Sequence, residues 1–250
     1  MLFSLKTLAS VTLLLASSGH AQTVFKGISN YSASAIDTTS VLTPYVVNNF
    51  PVLDMASKDL RCRSNDYDND KTTQFNVQAG SVISLWWEKD SKSLVSTANT
   101  AIAPLGPCTV YMAGYESSGD GPQWFNVYKN GYVKGNWCSQ TINNKNGGRL
   151  DVRIPFDIIE GMYLLRAEII DLTNSGKSNW EDYTQGPAFF VNCVKVFVYS
   201  DGAVVPSGDY IPGIYTMDDP SLYGNFTENP SEEYVVPGPS EYFPITQIAL

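Results

Sequence analysis

The chain has 250 residues, 43% of them apolar and 12% aromatic, with 16 Lys and Arg against 25 Asp and Glu for a net charge of −9. That acidic balance argues against nucleic acid and anionic membrane surfaces as partners. No run is long and apolar enough to span a bilayer as a helix, so no membrane association is expected.

The first stretch carries one positive charge, Lys6, then an apolar run from Leu8 to Ala16, then the small residues Ser17, Ser18, Gly19 and Ala21. This order predicts a secretory signal peptide over residues 1–21 and a secreted, extracellular product. The small-residue rule permits two cuts. Cleavage after Ala21 leaves Gln22 first, and a free N-terminal glutamine is expected to cyclise. Cleavage after Gly19 leaves His20 first, and His20 is the only histidine in the chain. With the first cut, residues 22–250 form a single expected domain, and losing Lys6 takes the charge to 15 − 25 = −10.

Thr23 to Ser29 reads as the first strand, and the Ser/Thr-rich segment from Asn30 to Asn49 reads as a long surface loop. Asp66-Tyr67-Asp68-Asn69-Asp70 spaces carboxylates as a calcium loop begins, but Lys71 stands in the glycine place and Val77 in that of the bidentate glutamate. The segment is therefore read as a solvated acidic loop. Phe75 to Val77 and Ser81 to Trp87 are β-rich runs divided by Ala79-Gly80, which predicts a hairpin. Cys108 to Tyr115 and Trp124 to Tyr128 are further strands, joined through the turn residues Ser117 to Pro122. Arg149 to Ile154, Gly161 to Ile170 and Ala188 to Tyr199 complete the β-rich runs. No window keeps apolar residues at helical spacing for three turns. The pattern predicts an all-β protein, an antiparallel sandwich of short strands. From Ser200 onward Pro206, Pro212, Pro220, Pro230, Pro237 and Pro239 recur, so this Pro/Gly-rich C-terminal segment is expected to wrap the domain as irregular chain. The last residues, Ile245 to Leu250, are too short for a lipid-anchor signal.

Cys62, Cys108, Cys138 and Cys193 are an even count in an exported chain, which reads as two disulfides with three possible pairings. No Cys-x-x-Cys spacing suggests zinc. Asn30-Tyr31-Ser32 and Asn225-Phe226-Thr227 are glycosylation acceptors. A mature chain without histidine excludes Ser–His–Asp and Cys–His catalysis. Glu88 and Glu168 are candidate carboxylates for glycoside hydrolysis by their places in strands, but Arg166 beside Glu168 points to a structural ion pair.

Several blocks, taken together, resemble the fungal lytic polysaccharide monooxygenases of auxiliary activity family nine. They are Pro51-Val52-Leu53-Asp54, Asp59-Leu60-Arg61-Cys62, Gly106-Pro107-Cys108-Thr109-Val110-Tyr111, Asn146-Gly147-Gly148, Gly161 through Ile170, Phe189-Phe190-Val191-Asn192-Cys193 and Pro212-Gly213-Ile214-Tyr215. They run in family order from about Gln22 to about Pro239. The resemblance implies an immunoglobulin-like β-sandwich with long loops forming a flat face. It also implies a Cys62–Cys193 disulfide and, with it, Cys108 to Cys138.

The family's oxidative cleavage of cellulose uses one copper ion held by an N-terminal histidine and a second histidine. An axial tyrosine and an outer histidine and glutamine complete the site. By the same resemblance those places fall here on Gln22, Pro104, Phe190, Thr173 and Ala188 in turn. The expectation is a secreted, monomeric, non-catalytic member without a cofactor, associated with a cell wall or polysaccharide. Tyr31, Tyr210 and Tyr215 border the implied flat face and are candidate polysaccharide contacts. The competing expectations are a copper monooxygenase acting on cellulose and a structural or signalling surface protein.

Overall fold

The structure is a computed structural model that describes residues 23–31, 33–42, 51–63, 72–89, 104–115, 124–176, 186–226 and 229–244. The expected signal peptide, His20, Gln22, the acidic loop over Asp66 to Asp70 and the turn from Ser117 to Pro122 lie outside the described residues.

The chain opens with β1 (Thr23–Asn30), followed by the single helical turn α1 (Asp59–Cys62), β2 (Phe75–Gln78) and β3 (Val82–Lys89). β4 (Cys108–Gly114) and β5 (Phe125–Asn130) come next, then a small hairpin of β6 (Tyr132–Val133) and β7 (Asn136–Trp137). Helix α2 (Cys138–Asn146) precedes β8 (Arg149–Arg153), β9 (Gly161–Asp171) and β10 (Ala188–Tyr199). Among the described residues no helix is long and apolar enough to cross a membrane.

Two sheets pack as a sandwich. One is three-stranded in the order β1-β3-β8, the other five-stranded in the order β2-β10-β9-β4-β5. Among the described strands, all pairs but one are antiparallel, as the pattern predicts. β2 runs parallel to β10, which the sequence reading did not anticipate.

That pairing also overturns the hairpin expected across Ala79-Gly80. β2 and β3 belong to different sheets. Ala79 N–H donates to Tyr199 O at 2.9 Å, holding the end of β2 to the end of β10. Gly80, at φ +80°, then turns the chain so that its own N–H reaches Ile154 O at 2.9 Å on the other sheet. Val77 enters the core from one side, Ile83 and Leu85 from the other. Alternation marks which residues face a core but not which sheet carries them.

A bulge at Lys26 interrupts the β1–β3 register. It lets Phe25 and Ile28, three residues apart, both face the core, where Phe25 meets Trp87 edge-on at 5.1 Å. In β9 the alternation is strict: Leu165, Ala167 and Ile169 face the other sheet, while Leu164, Arg166, Glu168 and Ile170 face outward. The outward set is nevertheless buried. A second apolar layer of Leu42, Val52, Leu60, Trp124, Ile211, Tyr215 and Leu222 lies over it. The tail residues Ile211, Tyr215 and Leu222 belong to this layer over the five-stranded sheet. The tail also protects the β5 edge. Trp124 and Asp209 exchange both backbone hydrogen bonds, and Tyr242 N–H donates to Asn126 O at 2.7 Å.

Two further expectations need correction. The segment after Asn30 is not wholly a surface loop. Asp37 pairs with Ile28 along the free edge of β1, and Ser40, Val41 and Leu42 are buried. Helix α2 has no counterpart in the sequence reading, because of its first five residues, Cys138 to Ile142, only the two end residues enter the hydrophobic core. The Gln140 side chain accepts the Trp137 N–H at 2.9 Å, and Gly147, left-handed at φ +61°, ends the helix by donating its N–H to Ile142 O. At Gly148, φ +93°, a Cβ would stand 2.0 Å from Trp87 O, so the chain enters β8 too close to β3 for any side chain. The two disulfides are those the resemblance implies: Cys62–Cys193 joins α1 to β10, and Cys108–Cys138 joins β4 to α2.

Candidate functional site

Pairing register decides which of the expected site residues meet. β9 ends at Asp171, directly opposite Ala188 at the start of β10. The Asp171 carboxylate is 3% exposed, and its Oδ1 accepts the Leu105 N–H at 3.2 Å and the Thr173 N–H at 3.0 Å. The Thr173 hydroxyl donates to the same oxygen. Leu105 O in turn accepts the Leu172 N–H at 2.9 Å. The Ser139 hydroxyl, from the first turn of α2, accepts the Gly106 N–H at 3.1 Å.

Pro104, Thr173, Ala188 and Phe190 are thus brought to one end of the five-stranded sheet. Pro104 is buried, Ala188 is 1% exposed, and Phe190, at 2%, points into the inter-sheet core with Phe25. Only Thr173 of the four is exposed, and Asp171 holds its hydroxyl. Sequence reading passed over Asp171. Its signal was local: an Asp at a strand end followed two residues later by Thr is the pattern of a side-chain-capped turn.

A second polar group lies beneath the tail, on the outward face of the same sheet. Arg166 and Glu168, both fully buried, form an ion pair through Nη2 and Oε1. Arg166 also donates from Nε and Nη2 to Leu60 O at 3.0 and 2.9 Å. Glu168 Oε2 accepts the Thr109 hydroxyl at 2.6 Å and the Tyr215 hydroxyl. The Tyr111 hydroxyl stands 3.3 Å from that of Tyr215, and the Arg166 guanidinium lies over the Tyr111 ring at 5.3 Å. The structural ion pair expected of Arg166 and Glu168 is present. Glu88 lies on the other sheet in an exposed pair with Lys26 at 2.8 Å, so Glu88 and Glu168 do not form a carboxylate dyad.

Burial, then the Glu168 charge, pushes Tyr111 up to about 12 and holds Tyr215 well above the ordinary tyrosine range. Burial alone would pull Arg166 down, but the Glu168 charge and hydrogen bond outweigh it and the net direction is up. Below pH 10, folded and unfolded chains both keep the Tyr111 proton, and its contribution to stability is complete. Between pH 10 and about 12 the unfolded chain releases that proton first, so stability falls as pH rises. Urea midpoints should therefore drop from pH 9 to pH 11, and Tyr111→Phe should lessen the drop.

The three candidate sugar-stacking tyrosines do not share a face. Tyr215 is 4% exposed and stacked on Phe189 at 5.1 Å, which corrects its expected display: the ring closes the layer under the tail. Tyr210 is 55% exposed and follows Asp209 at the β5 edge. Tyr31 is 56% exposed and lies beside Arg149 of β8, on the three-stranded sheet. Asn30 and Asn225 are both exposed.

This sandwich, with one sheet end closed by loops and the outward face of the larger sheet covered by irregular chain, has solved counterparts. CvAA9A superposes with a TM-score of 0.76 at 23% identity, covering 88% of this chain and 97% of that one. The glycoside hydrolase family 61 member Cel61B from Hypocrea jecorina gives 0.65 at 19% identity, covering 89% and 100%. These define the fold class. The model of Auxiliary Activity family 9, formerly GH61, matches residues 18–234, and the chain belongs to that family. An AA9 family lytic polysaccharide monooxygenase A of Aspergillus tamarii is 36% identical over 194 residues, 77% of this chain and 49% of the relative. One of Aspergillus kawachii is 30% identical over 240 residues, 95% of this chain and 56% of the relative. The chain spans about half the length of the curated relatives it matches.

Proposed function

We propose that this family member is secreted, is cut after Ala21, and associates with cell-wall polysaccharide without copper catalysis. The observation that carries the reading is the set of side chains at the places where the family resemblance puts its copper ligands and their neighbours. A histidine brace needs two imidazoles, because imidazole nitrogen binds copper strongly while leaving positions open. The chain has one histidine, His20, within the expected signal. Pro104, Ala188 and Phe190 carry no donor atom, and the Thr173 hydroxyl is committed to Asp171. This donor set does not fit copper. Phe190 keeps the bulk of a tyrosine without its oxygen and fills the core with it.

The relatives are named lytic polysaccharide monooxygenases, which favours a competing reading; by the family resemblance it would be an enzyme that oxidises cellulose with copper. Two measurements on the secreted protein separate the readings. Its intact mass is expected to match a chain starting at Gln22, cyclised, plus any glycans at Asn30 and Asn225. Copper(II) titration is expected to give no tight one-to-one site, and incubation with cellulose, reductant and oxygen no oxidised oligosaccharides. A tight site with a brace-type EPR spectrum, together with oxidised products, would overturn the proposal.

A further inference from the structure

The buried polar cluster extends beyond the Arg166–Glu168 pair along one row of the five-stranded sheet. Asn126 of β5 stands opposite Tyr111 of β4, and Tyr111 stands opposite Arg166 of β9. None of the three side chains is more than 1% exposed. Among the described residues, Arg166 Nη1 and both Nδ2 and Oδ1 of Asn126 have no hydrogen-bond partner. Burying an amide or a guanidinium N–H without a partner is unfavourable, and folded chains rarely tolerate it.

The backbone opens at the same place. The β4–β5 register shifts between Val110 and Tyr111, so Val127 has no opposite residue and forms a bulge next to Asn126. The tail closes the row from outside. Tyr242 N–H donates to Asn126 O at 2.7 Å, and a Cβ on Gly238 would stand 2.5 Å from the Tyr111 hydroxyl oxygen.

Proton accounting shows what the row lacks. The Tyr215 hydroxyl donates to Glu168 Oε2, so Tyr111 is the donor in the 3.3 Å contact between the two hydroxyls. The Tyr111 oxygen therefore keeps acceptor capacity. The Asn126 amide is near enough to that hydroxyl to favour its ionised form, yet its own atoms make no direct hydrogen bond. Two polar groups held just beyond direct contact have the separation that a water bridges.

An ion fits this row badly. Glu168 already neutralises Arg166, so an added anion would be buried without a counterion, and a cation would face the guanidinium. Asn126 offers donors and an acceptor, Tyr111 an acceptor, and Arg166 donors only. Water, which both donates and accepts, meets all three.

We propose that this row is an internal hydration site, with one water bridging the Asn126 amide to the Tyr111 oxygen and a second accepting from Arg166 Nη1. Buried waters of this kind make about three hydrogen bonds each and remain with the fold. The layer that the tail covers is then joined from the β5 bulge to the buried ion pair by solvent as well as by side chains.

The test uses the full secreted chain with both disulfides formed. A crystal structure that resolves ordered solvent should show water within hydrogen-bond distance of the Asn126 amide and of Arg166 Nη1. Oxygen-17 relaxation dispersion counts long-lived internal waters. Asn126→Leu, an apolar replacement of similar size, should lower that count by one and the thermal midpoint by about 2–4 °C. A dry, unpaired amide predicts the opposite: the variant keeps the count and raises the midpoint, because an unsatisfied dipole has left the interior. That result would overturn the proposal. So would a wild-type crystal structure that lacks solvent at either position or bonds the Asn126 amide directly to a protein atom. The wild-type structure decides the matter alone if Asn126→Leu does not fold.

Discussion

Glu168→Ala should destabilise the protein by about 3–5 kcal/mol, the range for removing one partner of a buried ion pair. The reason lies in what stays behind. Arg166 is fully buried, and without Glu168 its charge would keep the backbone carbonyls of Leu60 and Arg61 as hydrogen-bond acceptors and the Tyr111 ring, with no counterion. The Thr109 and Tyr215 hydroxyls would lose their acceptor at the same time. A buried charge without its counterion costs far more than the pair contributes over an apolar replacement. Arg166→Met combined with Glu168→Leu should consequently be much milder than Glu168→Ala. Urea unfolding of the two variants measures the difference. A single substitution costing under about 1 kcal/mol, or a double costing more than the single, would show that the cluster does not act as a coupled unit.

The second large effect concerns the disulfides. The chain-entropy account ties stabilisation to the length of the closed loop. Cys62–Cys193 spans 131 residues and Cys108–Cys138 spans 30. Removing the first pair by Cys62→Ala with Cys193→Ala should cost roughly 5 kcal/mol, and removing the second roughly 4 kcal/mol. The first also ties α1 to β10, beside the carbonyls that receive Arg166, so its loss should weaken the buried pair as well. Combining it with Glu168→Ala should give less than the sum of the two effects. A larger loss from the Cys108–Cys138 pair would mean that loop length does not govern either bridge.

Much of the fold was legible because strand periodicity is local. β4, β5, β8, β9 and β10 stand where alternation and β-rich composition put them. The failures share one cause. Ala79-Gly80 reads as a hairpin turn, since two facing runs with a glycine between them look alike whether they pair or part. The chain parted there because Gln78 lay beside Tyr199 and Ile83 beside Asn30 and Val152. Helix α2 escaped notice because Cys138 and Ile142 give a single helical repeat, too short a run to mark a helical period.

The candidate site divides the same way. That Pro104, Thr173, Ala188 and Phe190 carry no imidazole is a property of residue identity and needs no coordinates. That Asp171 gathers three of them into one sheet end depends on register between β9 and β10, which sequence spacing does not specify. Tyr215 shows the difference most plainly. The family resemblance marks Tyr215 for display, yet Glu168, 47 residues away, supplies the acceptor that makes burying its hydroxyl favourable.

The sequence by itself determined residue chemistry and local pattern: one histidine, four cysteines, an acidic balance, a β-rich body and a tail interrupted by prolines. Those follow from composition and from interactions between near neighbours. Tertiary structure alone decided which sheet each strand joined, that the tail buries a charged pair, and that Tyr31 and Tyr215 lie on opposite sides of the sandwich. Each of these depends on contacts between residues tens of positions apart, and such contacts form only when burial across the whole chain outweighs the entropy of ordering it.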